Sequence, residues 1–213
     1  MYNLNGKVAL VTGAGGEQGI GRAICQRLAK EGCDLVVNDL HTRPYTESGW
    51  GGLPALVEEI EASGQQAFAV AADVSNADQV SNMIQQAIER FGHIDILVNN
   101  AGSRPGPHRV PVVELSEAAW DQVQNVNAKG TFLCAQAVAR HMIERGGGGK
   151  IVNISSTAGR LGMPRFAAYC ASKFAVIGFT QSLAHELAEH KINVNAVCPG
   201  TTLTERTGYI AAA

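Results

Sequence analysis

Tyr169 and Lys173 stand four residues apart in the run Tyr169-Cys170-Ala171-Ser172-Lys173, the spacing that makes two side chains neighbours on one face of a helix. A phenol beside an ammonium is chemically pointed. A free phenol titrates near ~10, so using one as a base at neutral pH calls for about three units of lowering, roughly 4 kcal/mol, and a fixed positive charge is the obvious source. Upstream, Ile151-Val152-Asn153-Ile154-Ser155-Ser156 reads as a buried strand that delivers the Ser156 hydroxyl at its C-terminal end, where open α/β sheets place their ligands. Serine, tyrosine and lysine would then face one substrate. Taken alone, Tyr-x-x-x-Lys is a weak signal that a solvated surface pair would also give.

A second cluster lies at the start of the chain. Lys7-Val8-Ala9-Leu10-Val11 is a short apolar, β-rich run leading into Thr12-Gly13-Ala14-Gly15-Gly16-Glu17-Gln18-Gly19-Ile20-Gly21, after which Ala23, Ile24, Leu28 and Ala29 recur at helical spacing. Strand, glycine loop and helix in that order suit a dinucleotide: glycines let backbone approach a pyrophosphate, and a helix N-terminus offers amides and partial positive charge. A tight turn without a ligand would leave the same pattern. Asp34–Asp39 reads as the second strand, and Asp39 lies 20 residues beyond Gly19, where an acidic residue commonly takes the adenosine ribose hydroxyls. That favours NAD over NADP, because a carboxylate repels a 2′-phosphate and neither Gln18 nor Leu40 offers a compensating charge. Arg43 keeps NADP open, and a turn-capping aspartate is the plainer reading of Asp39.

With Asn99-Asn100-Ala101-Gly102 added to these motifs, the chain resembles the short-chain dehydrogenase/reductase family from about residue 6 to Thr204. The resemblance implies reversible oxidation of a secondary alcohol to a ketone, with Tyr169 as proton donor and acceptor and Lys173 tuning it and binding the cofactor ribose. It also implies that Ser156 holds the substrate oxygen and that Asn127 supports Lys173 through a water. Cofactor contacts are implied for Gly13, Gly19, Ile20, Gly21 and Asp39, for the acidic-aliphatic pair Asp73 and Val74, and for Asn100, Ala101 and Gly102. The same holds for Tyr169, Lys173 and, on the nicotinamide side, Pro199, Gly200 and Thr204. One departure stands out: five residues separate Gly13 from Gly19, two more than the family's usual loop.

The elements that must position these residues alternate. Strands are expected at Lys7–Val11, Asp34–Asp39, Ala67–Ala71, Ile94–Val98, Ile151–Ser156 and Ile192–Val197. Helices are expected after the glycine loop, near Ala55–Ser63, from a Ser75 or Asn76 cap to Phe91, over Glu117–Arg145, and from Phe166 to Glu189. This predicts an α/β fold, a doubly wound, mostly parallel Rossmann-like sheet with helices on both faces. Residues 41–54 read as an insertion of unreadable role, and 103–113 as a loop near the substrate opening. Asn127 sits mid-helix, where asparagine is a poor former unless its polarity is used.

Length and composition agree. The chain has 213 residues, 46% of them hydrophobic, enough for one sizeable core, so residues 1–213 are expected to form a single dinucleotide-binding and catalytic domain. Seventeen basic residues against 19 acidic give a net charge of −2, with no basic block to suggest nucleic acid. Neither a signal-peptide core nor an apolar run of about 18 residues is present to suggest a membrane. Five cysteines without Cys-x-x-Cys spacing point to a reducing cytoplasm, and His185, Glu189 and His190 lack a further ligand for a metal.

The expected partners are a small-molecule alcohol or ketone and a second copy of the chain. In relatives the two long helices form a dimer interface, so a homodimer or homotetramer is implied, although the apolar stripe would also serve as ordinary core. Sugar alcohols, hydroxyketones, 3-oxoacyl thioesters and steroids all fit the family. A noncatalytic dinucleotide-binding or scaffold subunit is the alternative from another class. The chain is further expected to be part of a longer polypeptide, because its last strand needs an edge cover and Ala211–Ala213 ends where relatives continue.

Overall fold

A computed structural model describes residues 3–44 and 49–204. Expectations placed on Met1-Tyr2, on part of the 41–54 insertion and on the Ala211–Ala213 end therefore lie outside the described residues. Six strands form one parallel sheet: β1 (Val8–Val11), β2 (Asp34–Asp39), β3 (Ala67–Ala71), β4 (Ile96–Asn99), β5 (Gly149–Ile154) and β6 (Ile192–Val197), in the order β3-β2-β1-β4-β5-β6. Val11 pairs with Val37 on one side and Val98 on the other, so β1 is the strand from which the chain runs outward in both directions. That reversal opens a crevice at the C-terminal ends of β1 and β4, the usual ligand position in open α/β sheets.

Central parallel strands are covered on both faces, which is why they read as nearly unbroken apolar runs. Along β1, Val8 and Leu10 join the core on one face, and Ala9 and Val11 join the other, as the two-residue side-chain period requires. The first face packs α3 (Ala77–Phe91), α5 (Gly130–Arg145) and the end of α6 (Ala167–Glu186); the second packs α1 (Ile20–Lys30) and α2 (Leu53–Ala62). Asn76 is the α3 cap, its Oδ1 accepting from the amides of Asp78 and Gln79 at 3.0 and 3.1 Å. Gly92, at φ +80°, closes that helix in the left-handed region.

Several boundaries differ from expectation. The β5 strand ends at Ile154, so Ser156 is not a strand residue; it caps a short 3-10 turn over Thr157–Gly159, its Oγ accepting from the Ala158 amide at 3.1 Å. The α6 helix stops at Glu186, and Ala188–His190 continues as a 3-10 turn. The α2 helix begins at Leu53, inside the insertion. The Glu117–Arg145 region is continuous but changes form: α4 (Glu117–Gln124) passes into a π-helical segment, Asn125–Lys129, and then into α5. No helix among the described residues is long and apolar enough to cross a membrane.

The sheet edge opposite the crevice is tied by one carboxylate. Asp95, 7% exposed, accepts from the Val8 amide at 3.0 Å, Lys7 Nζ at 3.3 Å and Arg145 Nη1 at 2.8 Å, with His93 Nε2 3.0 Å from its Oδ2. Burial works to raise its pKa, but the Val8 amide, Arg145 and Lys7 outweigh burial and hold the carboxyl below its ordinary value.

Candidate active site

At the crevice, bare backbone makes the floor. Gly13 has φ +66°, and a Cβ there would come within 2.7 Å of Ala101 Cα. A Cβ on Gly21 would strike the Gly13 carbonyl and lie 2.7 Å from Asn100 Nδ2. Both positions exclude any side chain, and Gly19 N-caps α1 without contributing a side chain of its own. Ile20 and Gly21 open the helix, where the first-turn amides have no intrahelical acceptor. Asn100 locks this turn, its Nδ2 donating to the carbonyls of Thr12 and Gly13 at 2.9 and 2.8 Å. Thr12 Oγ1 in turn accepts from the amides of Asn100 and Ala101, both at 3.1 Å. The Thr12 hydroxyl was not singled out by sequence; its place between an apolar strand and the first glycine was the available signal.

Asp39 ends β2 beside the loop. Its Oδ2 accepts from the Gly15 amide at 2.9 Å and its Oδ1 from the Leu40 amide at 2.8 Å. Burial raises its pKa, opposed by those two amides. Asp73 holds its own turn, accepting from the Ser75 amide and hydroxyl at 2.8 and 2.7 Å. Val74 is buried against Gly130, where a Cβ would meet Val74 Cγ2 at 2.8 Å. Gly102 follows Ala101 into the loop that leads to Ser103.

On α6, Tyr169 is half-buried and packs edge-on against Phe166, ring centroids 6.3 Å apart at 72°. Lys173 is 5% exposed. Its Nζ lies 5.8 Å from the Tyr169 ring centroid and donates to the Ile154 carbonyl at 2.8 Å. A buried ammonium is thus held between the phenol and the last residue of β5. The turn that carries Ser156 presses on the same helix: a Cβ on Gly159 would come within 2.7 Å of the Lys173 carbonyl. Ser155 Oγ donates to that carbonyl at 2.9 Å.

Asn127 is fully buried in the π-helical segment. Its Oδ1 accepts from the Ser103 amide at 2.8 Å and its Nδ2 donates to Ser172 Oγ at 2.9 Å, joining the 103–113 loop to α6. That loop also reaches α6 through Arg109, whose Cζ lies 4.7 Å above the Phe166 ring. Ser172 and Phe166 were missed by sequence, being a small and an aromatic residue inside an ordinary helical pattern. Pro199 accepts from the Thr157 amide at 3.0 Å, and the Gly200 carbonyl from Thr202 Oγ1 at 3.4 Å. Thr204 is the last described residue. Burial raises the thiol pKa of Cys25 and lifts those of Cys33 and Cys134 to about 12, so these three are unsuited to nucleophilic work at neutral pH.

Residues 7–213 match the short chain dehydrogenase family. The chain belongs to the short-chain dehydrogenase/reductase family. It is 40% identical over 211 residues to the 2-dehydro-3-deoxy-D-gluconate 5-dehydrogenase of Escherichia coli, covering 99% of this chain and 78% of that protein. It is 42% identical over 205 residues to a 3-oxoacyl-(acyl-carrier-protein) reductase of Staphylococcus aureus, covering 96% and 78%. Among solved structures, an NAD+-bound xylitol dehydrogenase superposes with a TM-score of 0.83 at 37% identity, over 92% of this chain and 71% of the other. These relatives are dehydrogenases and reductases, and the family is one of oxidoreductases.

Proposed function

We propose that the chain is an NAD-dependent dehydrogenase or ketoreductase that interconverts a small secondary alcohol and its ketone, with Asn127, Ser156, Tyr169 and Lys173 as its catalytic set. The observation that carries this reading is the buried Lys173 ammonium fixed between the Tyr169 ring and the Ile154 carbonyl at the ligand edge of the sheet. The bare-backbone cradle at Gly13 and Gly21 fits a pyrophosphate, because neither position has room for a Cβ. When bound, the nicotinamide supplies or accepts the hydride.

The chain's own residues then divide the remaining work. The Tyr169 hydroxyl passes a proton to or from the substrate oxygen. Lys173 stabilises the phenolate by its charge, and the Ile154 carbonyl fixes where that charge sits. Ser156 Oγ donates to the substrate oxygen. Asn127 keeps the 103–113 loop and α6 in register around the reacting centre and supports Lys173 through water. Gly19, Ile20, Asp73, Val74, Asn100, Ala101, Gly102, Pro199, Gly200 and Thr204 line the dinucleotide.

Asp39 supports NAD as the preferred form, since its half-buried carboxylate would repel a 2′-phosphate. Asp39→Ala is expected to narrow or reverse the preference by removing a ribose acceptor and that repulsion together. Catalytic efficiencies with NAD and NADP measure it; a wild-type protein more efficient with NADP would reject the assignment and make Arg43 the residue to test. Trp120, Phe132 and Phe174 are partly exposed on the long helices, Phe174 by 47%, which supports a homodimer or homotetramer. The buried free thiols suit a cytoplasmic setting. A turnover assay pairing NAD and NADP with a sugar acid, a 3-oxoacyl thioester and a polyol tests the reading, and no dinucleotide-linked turnover across such a panel, extended to other secondary alcohols, would refute it.

A further inference from the structure

The extended glycine loop is gripped from outside the candidate site. Trp50 Nε1 donates to the Gly15 carbonyl at 3.0 Å, while the amide of the same residue donates to Asp39. Both polar groups of Gly15 are therefore occupied, and a Cβ on it would meet Pro44 Cγ at 2.6 Å. The Pro44 carbonyl accepts from Arg104 Nη2 at 2.6 Å. The Trp50 ring lies under the Arg22 guanidinium, Cζ 4.7 Å from its centroid.

Arg22 is itself clamped. Its Nε and Nη2 donate to the two oxygens of Glu59 at 3.0 and 2.5 Å, and its Nη1 donates to the Glu17 carbonyl at 2.6 Å. Gln26 Nε2 adds a bond to Glu59 at 3.1 Å. Hydrogen bonding from Arg22 holds the Glu59 carboxyl below its ordinary pKa, so it stays charged at neutral pH. Trp50, brought in by the insertion, thus meets the loop and Arg22 of α1, and through Arg22 is tied to Glu59 of α2. Two residues inside the long loop, Gly15 and Glu17, take part.

We infer that Trp50 is a positioning residue for the dinucleotide: by holding the Gly15 peptide it fixes the extended loop in the conformation that receives the pyrophosphate. This rests on the dinucleotide-dependent function proposed above. A loop with two additional residues has more conformations to lose on binding, and an anchor that has already removed them raises affinity through preorganisation. The insertion and the longer loop are in this sense two halves of one device.

The test is calorimetric titration of the full chain and two variants with NAD and NADP, beside thermal unfolding without cofactor and turnover at saturating cofactor. Trp50→Phe removes the donor and one of the two fused rings but keeps an aromatic face for Arg22; Trp50→Leu removes the donor and the aromatic face together. With Trp50→Phe the Kd for NAD is expected to rise about fivefold, the order of one hydrogen bond's net contribution. With Trp50→Leu it should rise more than about tenfold as the ring contact is lost too, while turnover at saturation stays within about twofold. A merely structural tryptophan would lower the unfolding temperature and leave the Kd alone. That result, in a folded Trp50→Phe protein whose parent binds NAD, overturns the inference. A parent that binds neither dinucleotide overturns the proposed function, and the inference with it.

Discussion

Replacing Tyr169 with phenylalanine is expected to cut turnover by about 10²–10⁴, the range associated with a positioned acid–base group, while leaving dinucleotide affinity near that of the parent. The substitution is a clean one here. The ring keeps its edge-on contact with Phe166 and its place beside Lys173, so packing and the position of the ammonium survive. What disappears is the one proton that the half-buried hydroxyl can carry. Steady-state turnover and a calorimetric NAD titration on the same preparation separate the two quantities. Near-normal turnover would reject Tyr169 as the acid–base group, whereas lost binding would show that the hydroxyl also takes part in holding the dinucleotide.

The second large effect concerns stability at the opposite edge of the sheet. Asp95→Ala removes the acceptor shared by the Val8 amide, Lys7 and Arg145, leaving a strand amide and two cations around an empty place. Breaking a buried charge pair on one side costs about 3–5 kcal/mol. Lys7 and Arg145 retain some access to water, which places this case near about 3 kcal/mol. For a chain of this length that lowers Tm by roughly 6–12 °C.

The pH dependence has a definite sign. The folded pKa of Asp95 lies below its unfolded value, so its contribution is fully present above about pH 4 and fades as the pH falls through the folded value. The gap in Tm between parent and Asp95→Ala should therefore be largest near neutrality and shrink on acidification below about pH 4. A gap that is constant across that range would mean that the charge on Asp95 is not what the edge depends on.

How far the sequence reached differs between elements for physical reasons. The six strands were legible because a parallel sheet covered on both faces demands apolar, β-branched runs, and Asp34–Asp39, Ala67–Ala71 and Ile192–Val197 carry the expected bounds. The α3 start was legible because a cap needs an acceptor side chain, which Asn76 supplies. The neighbourhood of Tyr169 and Lys173 followed from helical spacing. The Ile154 carbonyl that receives Lys173 did not, because backbone acceptors leave no trace in residue type. Ser156 was placed on a strand because β-rich composition continues through Ser155, while the actual break depends on a turn closed by its own hydroxyl. Trp50 reaching Gly15 is a contact across 35 positions, made between two stretches that each read as loop. The change to π-helical form at Asn125–Lys129 was invisible for a related reason: it shifts which carbonyl each amide meets, and composition does not encode that choice.

That π-helical turn has a consequence for how the gene can vary. A π turn holds one residue more than the α-helical turn it replaces, so the helix from Glu117 to Arg145 contains a spare position. Deleting one residue in the middle of an ordinary helix swings everything beyond it by about 100° and tears apart both packed faces. Between Gln124 and Gly130 the same deletion would instead relax the segment to α-helix and leave α4 and α5 facing the core as before. The loss would fall on Asn127, whose amide would no longer bridge Ser103 and Ser172. A one-codon deletion at this place is therefore a mutation that the fold can absorb and the Ser103–Asn127–Ser172 bridge cannot.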